Sequence, residues 1–148
     1  MTLFFPDLNV WLALSVESHS HSEDAWNWMG SLPRDARLIF SRYTQIGLLR
    51  LLTNSSVMGD QTLILRKAWG VYDRWLEDPR VEFYPEPRGA EGAFRLATEP
   101  FAAQQASKHV GDCWLLASAT ELGATLATFD RALHQFAKRQ GQLAVVPG

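Results

Sequence analysis

Apolar residues recur along this chain in two alternating rhythms, short continuous runs and longer stripes at helical spacing. The runs Thr2 to Pro6, Arg37 to Phe40, Val81 to Tyr84, Ala124 to Thr128 and Leu143 to Val146 read as short buried strands. Between them the spacing predicts a helix from Leu8 to about Glu17, with Leu8, Trp11, Leu12 and Val16 on one face. A second helix follows from Glu23, capped by Ser22, with Trp26 and Met29 inward. Ser41 begins a third, which carries Thr44, Gly47, Leu48, Leu51 and Leu52. Asp60 reads as the cap of a long helix with a stripe of Leu65, Ala68 or Trp69, Tyr72 and Trp75 or Leu76. Glu91 to Thr98 is a further helix, ended by Pro100, and Pro100 to Ser107 reads equally as helix or loop. Strands alternating with helices from start to finish predict a three-layer α/β/α domain with a largely parallel sheet.

The most informative stretch runs from His109 to Asp130. Asp112 opens a helix in which Leu115, Leu116, Ala119 and Leu122 recur at helical spacing, and Gly123 supplies a left-handed cap. The strand that follows leaves Asp130 just past its carboxyl end, where open α/β sheets keep their ligands. Each acid also has a plain reading, Asp112 as a helix cap and Asp130 as the cap of a helix from Arg131. At the other end of the chain, Thr2 to Pro6 delivers Asp7 and then Asn9. If these two strands are parallel neighbours, Asp7 and Asp130 emerge on one edge, and the first turn at Asp112 can point there. Such carboxylates repel one another without a cation, and hard oxygen donors suit Mg²⁺ or Mn²⁺.

Three segments, PDLNVWLAL (6–14), SRYTQIGLLRLLTN (41–54) and DCWLLASATELGATLATFD (112–130), resemble successive motifs of a PIN domain, most closely of the VapC toxin type. The resemblance covers nearly the whole chain in order. It implies a Mg²⁺-dependent endoribonuclease, with Mn²⁺ able to substitute, acting as the toxin of a toxin–antitoxin pair. It also implies a homodimer and a VapB-type antitoxin whose C-terminal segment lies along a groove and blocks the site. By the same resemblance Asp7, Asp112 and Asp130 are the catalytic metal-site acids, supported through hydrogen bonds by Asn9 and Thr128. Two positions depart from the pattern. Gly47 stands where many PIN domains carry a glutamate, and Ala132 where a further acid often follows. Thr44, one turn from Gly47, is placed to orient a metal-bound water near the missing carboxylate or simply to pack its helix. One metal is expected, or a second supplied with RNA.

Length and composition agree with this reading without deciding it. With 148 residues, 47% of them apolar, the chain is expected to form one domain over 1–148. Its single cysteine, Cys113, has no disulfide partner and reads as a small core residue. No early basic segment leads into an apolar run and no apolar stretch approaches about 20 residues, so the expected location is the cytoplasm, away from membranes. The net charge of −2 argues against a purely basic RNA-binding patch. Arg42, Arg50, Lys108 and Arg131 lie near the ends of site-bearing elements and either meet phosphates or are solvated surface charges. His19 and His21, two residues apart with no cysteine nearby, read as a surface turn. The six tryptophans are divided between ordinary core and a partner surface. A phosphoryl-accepting receiver domain would need paired early acids, and Asp7 stands alone. A PIN domain that mainly binds RNA or protein without cutting is the other alternative, suggested by Gly47 and Ala132.

Overall fold

Leu3–Pro6 (β1) is the axis of the fold: Leu3 and Phe5 face one apolar cluster and Phe4 the opposite one, the alternation a strand imposes. The computed structural model describes residues 1–148. Arg37–Phe40 (β2), Val81–Phe83 (β3), Thr125–Ala127 (β4) and Ala144–Val145 (β5) complete a sheet of order β3-β2-β1-β4-β5, every neighbouring pair parallel. Both faces of this sheet are covered, which is why its strands are runs of apolar residues instead of alternating polar ones.

One face carries Leu8–Ser15 (α1), Ser22–Ser31 (α2), Arg42–Leu52 (α3), the single turn Ser55–Met58 (α4) and Leu65–Glu77 (α5). Its core is centred on Trp11, fully buried and stacked on Phe40 with ring centroids 3.8 Å apart. The other face carries Ala90–Thr98 (α6), Val110–Leu122 (α7) and Arg131–Arg139 (α8), packed on Phe5, Ile39 and Leu126. Burying a side chain of that size contributes about 1.5–3 kcal/mol, so a three-layer α/β/α arrangement follows from having two apolar sheet faces to cover. No helix is long and apolar enough to cross a membrane.

Four helix starts differ from the sequence expectation, α6 by the single residue Ala90. Helix α2 begins at Ser22 itself, with His21 as its cap, and this phase turns Ala25, Trp28 and Met29 inward while Trp26 is 50% exposed. Asp60 lies in a 3₁₀ turn at Gly59–Gln61, because the Leu63 amide donates to the Leu52 carbonyl and delays the next helix to Leu65. Within α5 only Ala68 and Tyr72 are buried, and the rest of the predicted stripe is partly or well exposed. Helix α7 begins at Val110 and ends, as the sequence indicates, on Gly123 in the left-handed region at φ 65°. Pro100 falls in a 3₁₀ turn, Glu99–Phe101. Cys113 is buried, its thiol donating to the Ala97 carbonyl.

Candidate active site

In the order β3-β2-β1-β4-β5 the direction of winding reverses between β1 and β4, and the crevice beyond their carboxyl ends is where such sheets hold ligands. Asp7 and Asp130 lie there. The Asp7 amide donates to the Ala127 carbonyl at 2.8 Å, locking the two strand ends together. Its carboxylate caps α1, with Oδ1 accepting from the Leu8 amide at 2.6 Å, while Oδ2 accepts from Thr128 Oγ1 at 2.8 Å and Asn9 Nδ2 at 3.2 Å. Asn9 reaches across to β4, its Oδ1 accepting from the Phe129 amide at 3.1 Å. Thr128, fully buried, uses its one proton on Asp7 and accepts from Asn9 Nδ2 and from the Asp130 amide. Burial pushes the Asp7 carboxyl up, against the pull of its Thr128 and Leu8 hydrogen bonds, and Asp130 raises it further.

Asp112 approaches from the first turn of α7, one of the helices across the sheet. It is pushed up to about 6, first by burial and then by the charges of Asp7 and Asp130, with His109 opposing. Asp130 caps α8 through Oδ1, which accepts from the Ala132 and Leu133 amides at 2.9 and 3.1 Å. No three acidic, histidine or cysteine side chains are close enough to grip one ion together as they stand. Asp7 Oδ1 and Asp130 Oδ1 are engaged in capping α1 and α8, and Asp7 Oδ2 in the bonds from Thr128 and Asn9. The donors nevertheless suit a small hard cation, which binds through one or two carboxylates and keeps several waters; the mutual repulsion felt at Asp112 is what such a cation would relieve.

A PIN domain model matches residues 4–139 of this chain. The chain belongs to the PIN-domain family. It is 37% identical over 136 residues to Ribonuclease VapC41 of Mycobacterium tuberculosis, covering 88% of this chain and 90% of that one. Among solved structures, VapBC2 from Rickettsia felis bound to a promoter DNA fragment superposes with a TM-score of 0.74 at 12% identity, covering 99% of this chain and 100% of that one. VapC20 of Mycobacterium tuberculosis, a sarcin–ricin loop cleaving toxin, gives 0.68 at 16% identity, covering 97% and 99%.

Within this PIN domain the remaining site residues take different positions. Thr44 is spent on its own helix: its hydroxyl accepts from the Ser41 amide at 2.9 Å as half of a capping box, so it is not free to hold a water. Gly47 lies beside the first turn of α1, where a Cβ would meet Leu8 Cδ1 at 2.6 Å; the place of the missing glutamate is filled by leucine. Lys108 lines a cleft of about 300 Å³ together with Asp112 and Asp130. Arg131, exposed in the first turn of α8, does not line it, and Arg139 two turns later does. Arg42 stacks over Phe83 at 4.5 Å and donates to Gln45 at 2.6 Å, which sets it on the β2–β3 side. Arg50 is exposed near Tyr43, whose hydroxyl feels Asp7 and Asp112 as well. Tyr43, His109 and Arg139 are the residues that sequence reasoning missed. Arg139 shares a helical face with Ala132 and Phe136, a spacing readable once that face is known. The turn carrying His19 and His21 packs on the residue before Asp130, His21 stacking on Phe129 with centroids 4.3 Å apart.

Proposed function

We propose that this PIN domain is a VapC-type toxin, a metal-dependent endoribonuclease of the cytoplasm in which Asp7, Asp112 and Asp130 hold Mg²⁺ or Mn²⁺. The observation that supports the reading is the placement of Asp7 and Asp130 at the paired ends of β1 and β4, with Asp112 of α7 lining one cleft with Asp130. The name of the 37% identical relative, a ribonuclease, supports the choice of substrate. A bound divalent cation supplies an activated water and offsets charge gathering on the phosphate. The chain's own residues do the positioning. Thr128 and Asn9 fix Asp7 Oδ2, and the paired strand ends keep Asp7 and Asp130 at a set separation. Lys108 and Arg139 offer the cationic charge that meets the RNA backbone beside Asp112 and Asp130.

The VapBC complex among the structural neighbours supports an antitoxin partner for this chain. Trp26, Trp69 and Leu65, exposed by 50%, 41% and 56%, offer apolar surface for that partner or for a homodimer. A non-cleaving PIN domain is favoured by one feature, Leu8 filling the place beside Gly47. An RNA cleavage assay with Mn²⁺ and with chelator separates the two. The nuclease reading expects cleavage that stops with chelator and drops at least a hundredfold in Asp7→Asn and Asp112→Asn, a loss of about 3 kcal/mol or more. Cleavage by either variant at the parent rate contradicts it.

A further inference from the structure

A second cavity, of about 650 Å³, opens on the same sheet edge but at the ends of β2 and β3, with Phe5 of β1 among the residues lining it. We infer that this cavity receives a nucleobase of the RNA next to the cleaved phosphate and so sets which sequences are cut. The inference rests on the nuclease reading and extends it to substrate choice. Helix α7 joins the two places. Lys108, His109 and Asp112 line the cleft at the acids, whereas Gly111, Trp114 and Ser118 line the cavity from the same helix. Tyr43 stands at the boundary. Its hydroxyl lies against Gly111, where any Cβ would collide with it, and it is near enough to Asp7 and Asp112 to feel their charge. A phosphate held at the aspartates therefore places its neighbouring nucleoside at Tyr43 and the cavity mouth.

The walls join aromatic rings to a few polar groups, the combination by which a base is held. Tyr43, Tyr84, Phe94 and Trp114 line the cavity, aromatic rings of the kind on which unpaired bases stack regardless of sequence. Arg42 is held in place by Phe83 and Gln45 at the rim, a planar donor fork ready for a base edge. Ser118, only 1% exposed, has a hydroxyl with no partner in the protein. A helical hydroxyl ordinarily turns back to a carbonyl four residues earlier, as Thr120 does to Leu116, and Ser118 does not. An unmet polar atom on the cavity face of α7 is costly in the free protein and is satisfied by a ligand carrying its own donors and acceptors. An apolar side chain from a protein would leave it unmet.

The test compares short RNAs that differ only in one base flanking the cleaved phosphate, including an abasic nucleotide, with the parent protein, Ser118→Ala and Arg42→Ala. The parent is expected to cleave the abasic RNA about tenfold or more slowly at one flanking position, the loss of one stacked base. Both variants are expected to discriminate less among the four bases there and to lose less on the abasic RNA. Ser118→Ala should also melt higher than the parent, since it removes an unpartnered buried hydroxyl. Equal cleavage of abasic and intact RNA, or variants that slow every RNA alike, overturns the inference. So does unchanged base selectivity in a stabilised Ser118→Ala, the result a groove for an apolar protein segment would give. Failure of the parent to cut any RNA refutes the nuclease reading instead; fluorescence anisotropy of the same RNAs then decides the cavity, equal affinity for the abasic strand counting against it.

Discussion

Burial, and then the charges of Asp7 and Asp130, raise Asp112, and this has a measurable consequence for the metal-free protein. Its carboxyl moves from 3.8 to about 6 on folding, and that of Asp7 also moves up. Between those values the folded protein keeps protons that the unfolded chain has released, so the contribution of these carboxyls to stability is fullest below about 4 and is lost as pH rises through about 6. Melting curves in chelator should show that decline, and Asp112→Asn should flatten it; an unchanged slope would mean that folding does not raise Asp112. Gly47 yields a second prediction at this scale. Because a Cβ there meets Leu8, Gly47→Glu should destabilise by about 1–3 kcal/mol with or without Mn²⁺. Adding Leu8→Ala makes room, and the double variant should recover part of the loss and gain more from Mn²⁺ than the parent in a thermal scan. A Gly47→Glu protein as stable as the parent would remove the packing explanation.

At the scale of elements, helix capping decides both what was legible in the sequence and what was not. Asp7, Ser41, Asn54 and Asp130 are cap-type residues that do cap, and the helices after Asp7, Ser41 and Asp130 fall where the pattern puts them. Ser22, Asp60 and Asp112 are equally good cap types that do not. Ser22 and Asp112 sit inside their helices behind His21 and His109, which cap without a side-chain bond, and Asp60 is in a separate turn. An acid in the first turn gains from the helix dipole much as a cap does, so residue type alone does not separate the two. Thr44 shows the converse, a buried threonine whose hydroxyl serves its own helix. Thr44→Val should cost about 0.5–2 kcal/mol through the lost capping box while leaving Mn²⁺ affinity as it was. A fall in Mn²⁺ affinity by titration calorimetry would return Thr44 to the site.

The arrangement of the whole molecule was readable because its strands are short, apolar and separated by helices, which leaves a parallel sheet with two covered faces as the consistent outcome. From that arrangement it follows that Asp7 and Asp130 share an edge, and the β1–β4 pairing puts them there. Tyr43, Ser118 and Arg139 were not readable, because each matters through contacts or cavities between elements distant in sequence, and nothing local distinguishes them from surface or core. The central claim is that three carboxylates at the sheet's reversal point together hold the divalent cation on which RNA cleavage depends. Titration calorimetry of Mn²⁺ into the parent, Asp7→Asn and Asp112→Asn tests it most directly. The account predicts one measurable site in the parent, weakened at least tenfold in each folded variant, a difference of about 1.4 kcal/mol or more. Equal Mn²⁺ binding by all three proteins, or none by the parent, would contradict it.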